Sequence, residues 1–318
     1  MFGITFLHPG RLWILIVPAV ILLGYIVLSM RPGMGRPGRS RLSRLVPRES
    51  ALKRHVSVGA ALLSLCSLIL AYAQPLRPTL VPRDRATIVV AIDVSKSMQA
   101  KDVSPDRLTA AKQGAIEFID TLPPRFNVSL VSFSGVAQIV VPPTTDRSML
   151  ERAINSLQLA PSTAIGEGIL QSLEALKLAP PDPEHPDAPA PGAIVLLSDG
   201  ATNTGTASAY AAQQAKDAQV PVYTIAYGTP GGYVVEGNGQ RIPVPVNHGE
   251  LAKIAQISGG KKYAADSLQS LQQVYKTIAS VLGQQAGTVE ITDRFVFGSL
   301  ILAVLAALGV MSLAARWP

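Results

Sequence analysis

The sequence predicts an α/β protein whose core is a doubly wound, mostly parallel β-sheet with an antiparallel edge strand, accompanied by transmembrane helices, two N-terminal and one C-terminal. From Thr87 onward, strand-like runs and amphipathic helical stretches alternate along the chain, as they do in sheets covered by helices on both faces. Several of these runs are rich in Val and Ile at successive positions, which is typical of strands buried on both faces. Three long apolar stretches, two before the alternating strands and helices and one after them, contain no charged residue.

The three apolar stretches are each close to the ~20 residues that an α-helix needs to cross a bilayer. They run from Leu12 to Met30, from Val56 to Ala73 and from Phe295 to Ala315. A charge at the centre of a span costs about 2.5–3.5 kcal/mol on insertion scales, so charge-free runs of this length indicate spans. A buried core helix is the alternative interpretation of each. The expected organisation is a first helix with a short N-terminus in 1–30, a loop at 31–55, a second helix at 56–73, a soluble domain at 86–283 and a third helix at 295–315.

The net charge of +7 belongs to one short segment. Residues 31–55 contain eight Lys or Arg and one acidic residue, so the rest of the chain is neutral overall. A short basic loop between two spans stays in the cytoplasm, which predicts a multi-pass protein of the cell (cytoplasmic) membrane with its soluble domain on the extracytoplasmic side. The basic residues are not interleaved with aromatic ones, so we expect contact with anionic lipid headgroups and no nucleic acid.

Two features near the second apolar stretch concern processing and redox state. Ala71-Tyr72-Ala73 resembles an A-x-A cleavage site, and translation from Met34 would turn the stretch into part of a long signal peptide. Cleavage after Ala73 therefore stays open. The lone Cys66 lies inside the stretch, where it fills apolar space, and it cannot form an intrachain disulfide.

The soluble region is predicted to alternate strands and helices throughout. The strands are Thr87–Ile92, Val128–Phe133, Ala137–Val141, Ala193–Leu197, Val220–Ala226 and Lys262–Ala264. The helices are Ser104–Leu122, Ser148–Leu157, Ile165–Leu176, Ala207–Ala218, His248–Ile257 and Ser267–Leu282. Ser104 is expected to cap the first helix, with Pro105 at its first position. A short Ser134-Gly135 link makes the strand that follows it an antiparallel edge strand.

Two insertions interrupt this alternation. Residues 180–191 are rich in Pro and acidic residues, which predicts a solvated loop. Gly-Asn-Gly at 237–239 lies between two short apolar runs and predicts a β-hairpin. This hairpin leaves the carboxyl end of a predicted parallel strand, which is the edge at which open sheets bind ligands.

Oxygen-bearing side chains occur in three segments that lie at, or face, this same edge of the sheet. Asp93, Ser95 and Ser97 follow the first strand, and Asp199-Gly200 follows the strand that ends near Leu197. Thr163 comes immediately before the helix that opens near Ile165. Hydroxyl and carboxylate oxygens are the hard ligands that Mg²⁺ prefers, in octahedral geometry with some waters retained. Each segment taken alone also fits a turn or a helix cap, but together they predict a metal site.

The pattern Asp93-x-Ser95-x-Ser97, together with Thr163 and Asp199-Gly200, resembles the metal-ion-dependent adhesion site (MIDAS) of von Willebrand factor A (VWA) domains over about residues 86–283. The resemblance implies that the two serines and the threonine ligate Mg²⁺ (or Mn²⁺) directly and that the aspartates act through water. With two spans before the domain and one after, the chain is similar to bacterial VWA membrane proteins of the Bat type. That similarity implies a partner protein that offers a carboxylate, and cooperation with a MoxR-type AAA+ ATPase in envelope complex assembly.

Three functions are consistent with the sequence. The first is a membrane-anchored interaction module whose cation engages an acidic group of a protein partner. The second is a structural subunit of a membrane assembly with an unused ion site. The third is a metal-dependent phosphoesterase with Asp93 as nucleophile, but such enzymes usually carry an acidic group where this chain has Ser95. The four histidines lie outside the inferred ligand loops, so we expect no nucleophile–base pair and no enzyme.

Overall fold

A computed structural model gives the structure of the protein. It describes residues 4–30, 51–83, 85–181, 191–200, 202–235 and 239–314. Most of the predicted basic loop, most of the Pro-rich insertion and part of the hairpin turn lie outside these residues. The chain forms two compact units, one made of residues 1–81 with 286–318 and the other of residues 82–285.

The larger unit is built on a six-stranded sheet. Its strands are β3 (Thr87–Asp93), β4 (Asn127–Phe133), β5 (Ala137–Thr144), β6 (Gly192–Ser198), β7 (Val222–Tyr227) and β10 (Lys262–Ala265). Their order is β10-β7-β6-β3-β4-β5, with every neighbouring pair parallel except β4 and β5. The predicted doubly wound sheet with an antiparallel edge strand is therefore confirmed.

Helices cover both faces of this sheet. They are α3 (Arg107–Thr121), α4 (Arg147–Ser156), α5 (Ile165–Lys177), α6 (Ser208–Asp217), α7 (His248–Ser258) and α8 (Leu268–Leu282). One apolar cluster joins the sheet to α3, α4 and α8, and a second joins it to α5, α6 and α7. Every residue of the central strand β3 is buried, and successive residues alternate between the two clusters: Ile88 and Val90 pack on one face, Val89 on the other. This explains why the strand is apolar at successive positions.

The edge strand β5 is irregular. Its register against β4 shifts between the Val128–Thr144 and Leu130–Val141 pairs and again after Leu130, so the strand carries a bulge. The two prolines of β5, at 142 and 143, lie inside the bulged stretch. Proline has no backbone N–H to donate, and edge strands and bulges are where a sheet tolerates it.

The predicted start of α3 is wrong. Ser104 does not cap the helix, which begins at Arg107 with Asp106 as its N-cap. The Asp106 carboxylate accepts hydrogen bonds from the Thr109 backbone N–H at 2.8 Å and from its hydroxyl at 2.8 Å. A carboxylate that accepts two hydrogen bonds from the first turn is a strong cap, and it moves the helix start two residues beyond Pro105.

Among its described residues, the smaller unit contains three helices that are long and apolar enough to cross a membrane, spanning Pro9–Met30, Leu52–Tyr72 and Thr292–Ser312. The first comprises a 3₁₀ turn (Pro9–Leu15) and α1 (Ile16–Met30), and the others belong to α2 (Ala51–Tyr72) and α9 (Thr292–Ala314). These helices indicate a membrane-associated protein. Helix α2 begins five residues before the predicted apolar stretch, so the end of the basic segment is helical.

Small polar residues join two of these helices. Ser64 donates its hydroxyl to the Ser299 carbonyl at 2.8 Å, and Ser67 donates to the Phe295 carbonyl at 2.7 Å. Small side chains of this kind let apolar helices approach closely. A three-stranded sheet that the sequence did not predict completes the unit, in the order β1 (Thr5–Phe6), β2 (Pro75–Pro82), β11 (Gln284–Glu290).

Candidate metal centre

The predicted site lies at the carboxyl ends of two neighbouring strands. Strands β3 and β6 are parallel and in register, with Ile92 opposite Leu197, so Asp93 and Ser198 end them at the same edge of the sheet. Asp199 follows directly. Both aspartates are fully buried, at 0% exposure, and two buried carboxylates at one edge require compensating charge or hydrogen bonds.

The Asp93 carboxylate is oriented by two donors. The Ser95 backbone N–H donates to Oδ1 at 2.8 Å, and the Ser198 hydroxyl donates to Oδ2 at 2.5 Å. A single 3₁₀ turn, Lys96–Gln99, then bends the chain back. Because of this turn, Ser95 Oγ and Ser97 Oγ lie 2.9 Å apart. The structure thus brings together the three residues of the Asp93-x-Ser95-x-Ser97 pattern.

The Thr163 loop is attached to both of the other loops by hydrogen bonds. The Ala160 N–H donates to the Val94 carbonyl at 2.8 Å, next to the Asp93 turn. On the other side, the Asn203 side-chain Oδ1 accepts from the Thr163 N–H at 2.9 Å, and the Asn203 backbone N–H donates to the Thr163 carbonyl at 3.0 Å. Thr163 is 4% exposed. Asn203 was not predicted from the sequence, since an isolated Asn after a strand is an ordinary loop residue.

Asp199 is held by a residue whose role the sequence did not reveal. Arg107, at the first position of α3, is 0% exposed, and its Nη1 donates to Asp199 Oδ2 at 3.2 Å. Its Nε and Nη2 form a bidentate pair with Asp102 at 2.8 and 2.7 Å. Nη2 also donates to the Val244 carbonyl at 3.1 Å. The only sequence signal was the Pro105-x-Arg107-Leu108 context, which does not show what an arginine contacts.

The charge of Asp102 is stabilised within this network. Burial disfavours its charged form, but hydrogen bonds from Arg107 and from the Thr229 N–H and hydroxyl outweigh burial and hold the pKa of Asp102 below its ordinary value. Arg107 therefore lies between two carboxylates, in the planar bidentate geometry that favours arginine over lysine.

The pKa of Asp93 is shifted in the opposite direction to that of Asp102. Burial, followed by repulsion from the Asp199 charge, raises the pKa of Asp93 to about 7, although the Ser198 and Ser95 donors oppose the shift. A buried carboxylate with its pKa raised by a second acid is typical of functional sites. A bound cation would remove this electrostatic penalty.

The donor set fits a hard divalent cation. In an octahedral site with bonds of about 2.1 Å, adjacent ligand oxygens lie roughly 2.9–3.0 Å apart, which is the separation of the two serine hydroxyls. Within the described parts of the chain, no group of three or more His, Cys, Asp or Glu side chains could hold an ion. A cation held here would take part of its coordination from hydroxyl oxygens, which are hard ligands of the kind that suits Mg²⁺ and Mn²⁺.

The raised pKa of Asp93 predicts that cation affinity depends on pH. Below about pH 7 Asp93 is protonated in the free protein, and a cation must displace that proton. We expect Mn²⁺ affinity to rise up to about tenfold per pH unit between pH 5 and 7 and to level off above. The folding stability of the metal-free protein depends on pH in the opposite direction. The raised pKa of Asp93 stabilises the fold at acid pH, and this contribution is lost as pH rises through about 7. Calorimetric titration at four pH values measures the first effect, and a flat profile would contradict it.

The fold and the arrangement of these loops define a von Willebrand factor type A domain, and the family model of that domain matches residues 88–202. The chain belongs to the UPF0353 family. It is 39% identical to a UPF0353 protein of Mycolicibacterium vanbaalenii over 313 residues, which cover 94% of this chain and 93% of that relative. It is 40% identical to the UPF0353 protein of Mycolicibacterium gilvum over 284 residues, or 87% and 84% of the two chains.

Two solved structures share the fold of the larger unit. BatB, a conserved hypothetical protein from Bacteroides thetaiotaomicron, aligns with a TM-score of 0.53 at 24% identity, over 62% of this chain and 98% of that one. An aerotolerance-related membrane protein from Bacteroides fragilis aligns with a TM-score of 0.54 at 24% identity, over 62% and 99%. The predicted VWA resemblance is confirmed, and the likeness to these two proteins is one of fold.

Proposed function

We propose that this protein is a membrane-anchored interaction module that binds Mg²⁺ or Mn²⁺ and uses it to engage an acidic group of a protein partner. One observation carries the proposal: Ser95 and Ser97 present their hydroxyls 2.9 Å apart beside the buried carboxylate of Asp93. This is a site shaped for a cation at the edge of the sheet where ligands bind.

Each ligand residue has a distinct role in the proposal. Ser95, Ser97 and Thr163 bind the ion directly, while Asp93 and Asp199 hold it through water. When bound, the cation supplies an open coordination position for a carboxylate oxygen. Arg107 pairs with both Asp102 and Asp199 and so offsets part of the negative charge of the site, which reduces the repulsion that an incoming acidic group meets.

The geometry favours binding over catalysis. The two serine hydroxyls hydrogen-bond to each other, and Asp93 accepts from Ser198 and from the Ser95 backbone. A nucleophilic serine needs a general base within hydrogen-bond reach and access to a substrate. Ser198 has the Asp93 carboxylate within reach, but it is fully buried, so its hydroxyl is not placed to attack a substrate.

We also propose an orientation and a partner class. The basic sequence of residues 31–55 favours retention of that loop in the cytoplasm, which places the VWA domain on the extracytoplasmic side of the cytoplasmic membrane. A MoxR-type AAA+ ATPase is cytoplasmic, so its contact would be the 31–55 loop. The carboxylate-bearing partner of the cation site would then be an envelope protein.

Affinity purification from membranes tests the proposal. The full chain should retain specific envelope proteins with Mg²⁺ present, release them on chelation with EDTA, and recover them when Mg²⁺ is restored. The Ser95→Ala/Ser97→Ala variant should retain none of the Mg²⁺-dependent set. Capture that is indifferent both to chelation and to these substitutions would refute the interaction function.

A further inference from the structure

The hairpin formed by β8 (Tyr233–Val235) and β9 (Arg241–Pro243) borders a groove beside the cation site. The groove has a volume of about 790 Å³. One wall is formed by Val234, Val235 and Ile242 of the hairpin, and the other by Leu159 and Pro161 of the segment leading to Thr163. Lys96, Ser97 and Gln99 also line the groove, so its surface is mixed, with apolar side chains forming the larger part.

Ser97 belongs to both features. Its hydroxyl is 2.9 Å from Ser95 Oγ in the candidate metal site, and the residue also lines the groove. A ligand whose carboxylate reaches the Ser97 side of the cation site must place its neighbouring atoms in or over the groove. The two features thus form one continuous surface.

The apolar side chains of the groove are accessible. Val235 is 54% exposed, while Ile242 and Leu159 are each 39% exposed. Clustered apolar side chains beside a site of this kind mark a recognition surface more often than scattered ones do. An apolar side chain of a partner would be removed from water here.

The charges around the groove favour an acidic partner. Lys96 lines the groove itself, and Lys101 lines an adjoining pocket with Tyr233, Val234 and Val235. Arg241 lies over the Tyr233 ring at 4.7 Å. Asp102 also lines that adjoining pocket, so among these described residues three basic side chains stand against one acidic one.

The base of the hairpin is fixed to the same arginine that holds Asp199. Val244 donates its N–H to the Gly232 carbonyl at 2.8 Å and accepts from Arg107 Nη2 at 3.1 Å. A Cβ at Gly232 would lie only 2.1 Å from that nitrogen, so the close approach requires glycine. Arg107 therefore sets the hairpin, and with it the groove, in a defined position relative to Asp199.

We propose that this groove determines which acidic partner is bound: it receives an apolar side chain that stands within about two residues of the Asp or Glu whose carboxylate engages the cation, about the reach of an extended segment. The occupant is an extended acidic segment of another protein. This inference rests on the proposed function and adds specificity to it, since a cation alone would accept any accessible carboxylate.

Selection from a phage-displayed library of random dodecapeptides tests the inference, using the full chain in nanodiscs with Mn²⁺ or with EDTA. Peptides enriched only with Mn²⁺ should carry Asp or Glu with Leu, Ile, Val or Phe within two positions. Changing that apolar residue to Ser in a synthetic copy should weaken binding about tenfold or more to the unaltered protein. The same peptide substitution should weaken binding little when the protein is the Val235→Ser/Ile242→Ser variant. This result is expected if the apolar peptide residue contacts these two side chains.

A matched control separates the groove from exposed apolar surface in general. Leu178 and Tyr210 are 59% and 57% exposed on other elements, and the Leu178→Ser/Tyr210→Ser variant should bind the selected peptides normally. Mn²⁺ affinity measured without peptide should be unchanged in both variants.

The outcomes distinguish the inference from the proposed function. Mn²⁺-dependent enrichment of acidic peptides with no apolar preference would overturn the groove proposal and leave the cation function standing. Absence of Mn²⁺-dependent enrichment of acidic peptides would count against both. If Val235→Ser/Ile242→Ser instead dissociates an oligomer of the protein in nanodiscs, the groove is a contact between copies, and the proposal fails.

Discussion

Replacing Arg107 with Met is expected to destabilise the VWA domain by about 3–5 kcal/mol, because the change leaves two carboxylates without their shared partner in a buried site. Arg107 is fully buried, and its guanidinium contacts Asp199, Asp102 and the Val244 carbonyl. For a domain of this size, 3 kcal/mol corresponds to a fall of roughly 6–12 °C in melting temperature. Thermal unfolding followed by circular dichroism measures this fall in melting temperature.

An exposed ion pair provides the control. Lys177 lies 2.6 Å from Glu174 with both side chains largely exposed, and surface pairs of this kind contribute little. Lys177→Met should shift the melting temperature by no more than about 2 °C. If Arg107→Met behaves like this control, the buried network does not hold the domain together in the way described.

Replacing both Ser95 and Ser97 with Ala is expected to weaken Mn²⁺ binding by at least about 100-fold. Removing a single residue that only orients a ligand costs about 10–100-fold, and this change removes two direct oxygen ligands. The measurement is calorimetric titration of the full chain in detergent near pH 7.5, where Asp93 is largely ionised.

The free energy of unfolding should show whether the Ser95→Ala/Ser97→Ala variant has lost only its metal ligands or also its structure. The two hydroxyls contact each other, so their removal costs only about one ordinary hydrogen bond, roughly 1 kcal/mol. Ser156→Ala serves as the matched control, because it removes a hydroxyl that is bonded to the Ala153 carbonyl at an exposed helix position. This substitution should leave Mn²⁺ affinity unchanged. Full retention of affinity in the Ser95/Ser97 variant would remove the basis for assigning the site.

The fold was predictable because its strands carry a local signal. A strand such as β3, which is covered on both faces, must be apolar at successive positions, and that pattern is visible in the sequence. The order of β10, β7 and β6 was not deduced, since the sequence does not specify which strands are neighbours. The strands β2 and β11 were missed because β2 contains three prolines and β11 contains Ala, Gly and Glu, which are residue types depleted in strands.

The candidate site was predictable where its residues are close in sequence. Asp93, Ser95 and Ser97 lie within one turn, and their contacts follow from local geometry. Arg107 and Asn203 reach Asp199 and Thr163 across 92 and 40 positions of the chain, and Asp102 acts on the site through Arg107. Their side chains are of common types at unremarkable spacings, so only the folded arrangement reveals them. The assignment of Thr163 and Asp199 as ligands stays a prediction for the metal titration to test.

The bulge and paired prolines of β5 have a consequence for copies of this protein at high density. An open strand edge offers unpaired N–H and C=O groups that a second copy can join. Successive N–H groups of a strand point to opposite sides, so one of the two prolines of β5 removes a donor from this edge, and the shifted register interrupts its regular spacing. Molecules anchored side by side in a bilayer meet far more often than molecules in solution. A β5 edge interrupted in this way is a poor template for such pairing, which disfavours continuous intermolecular sheets.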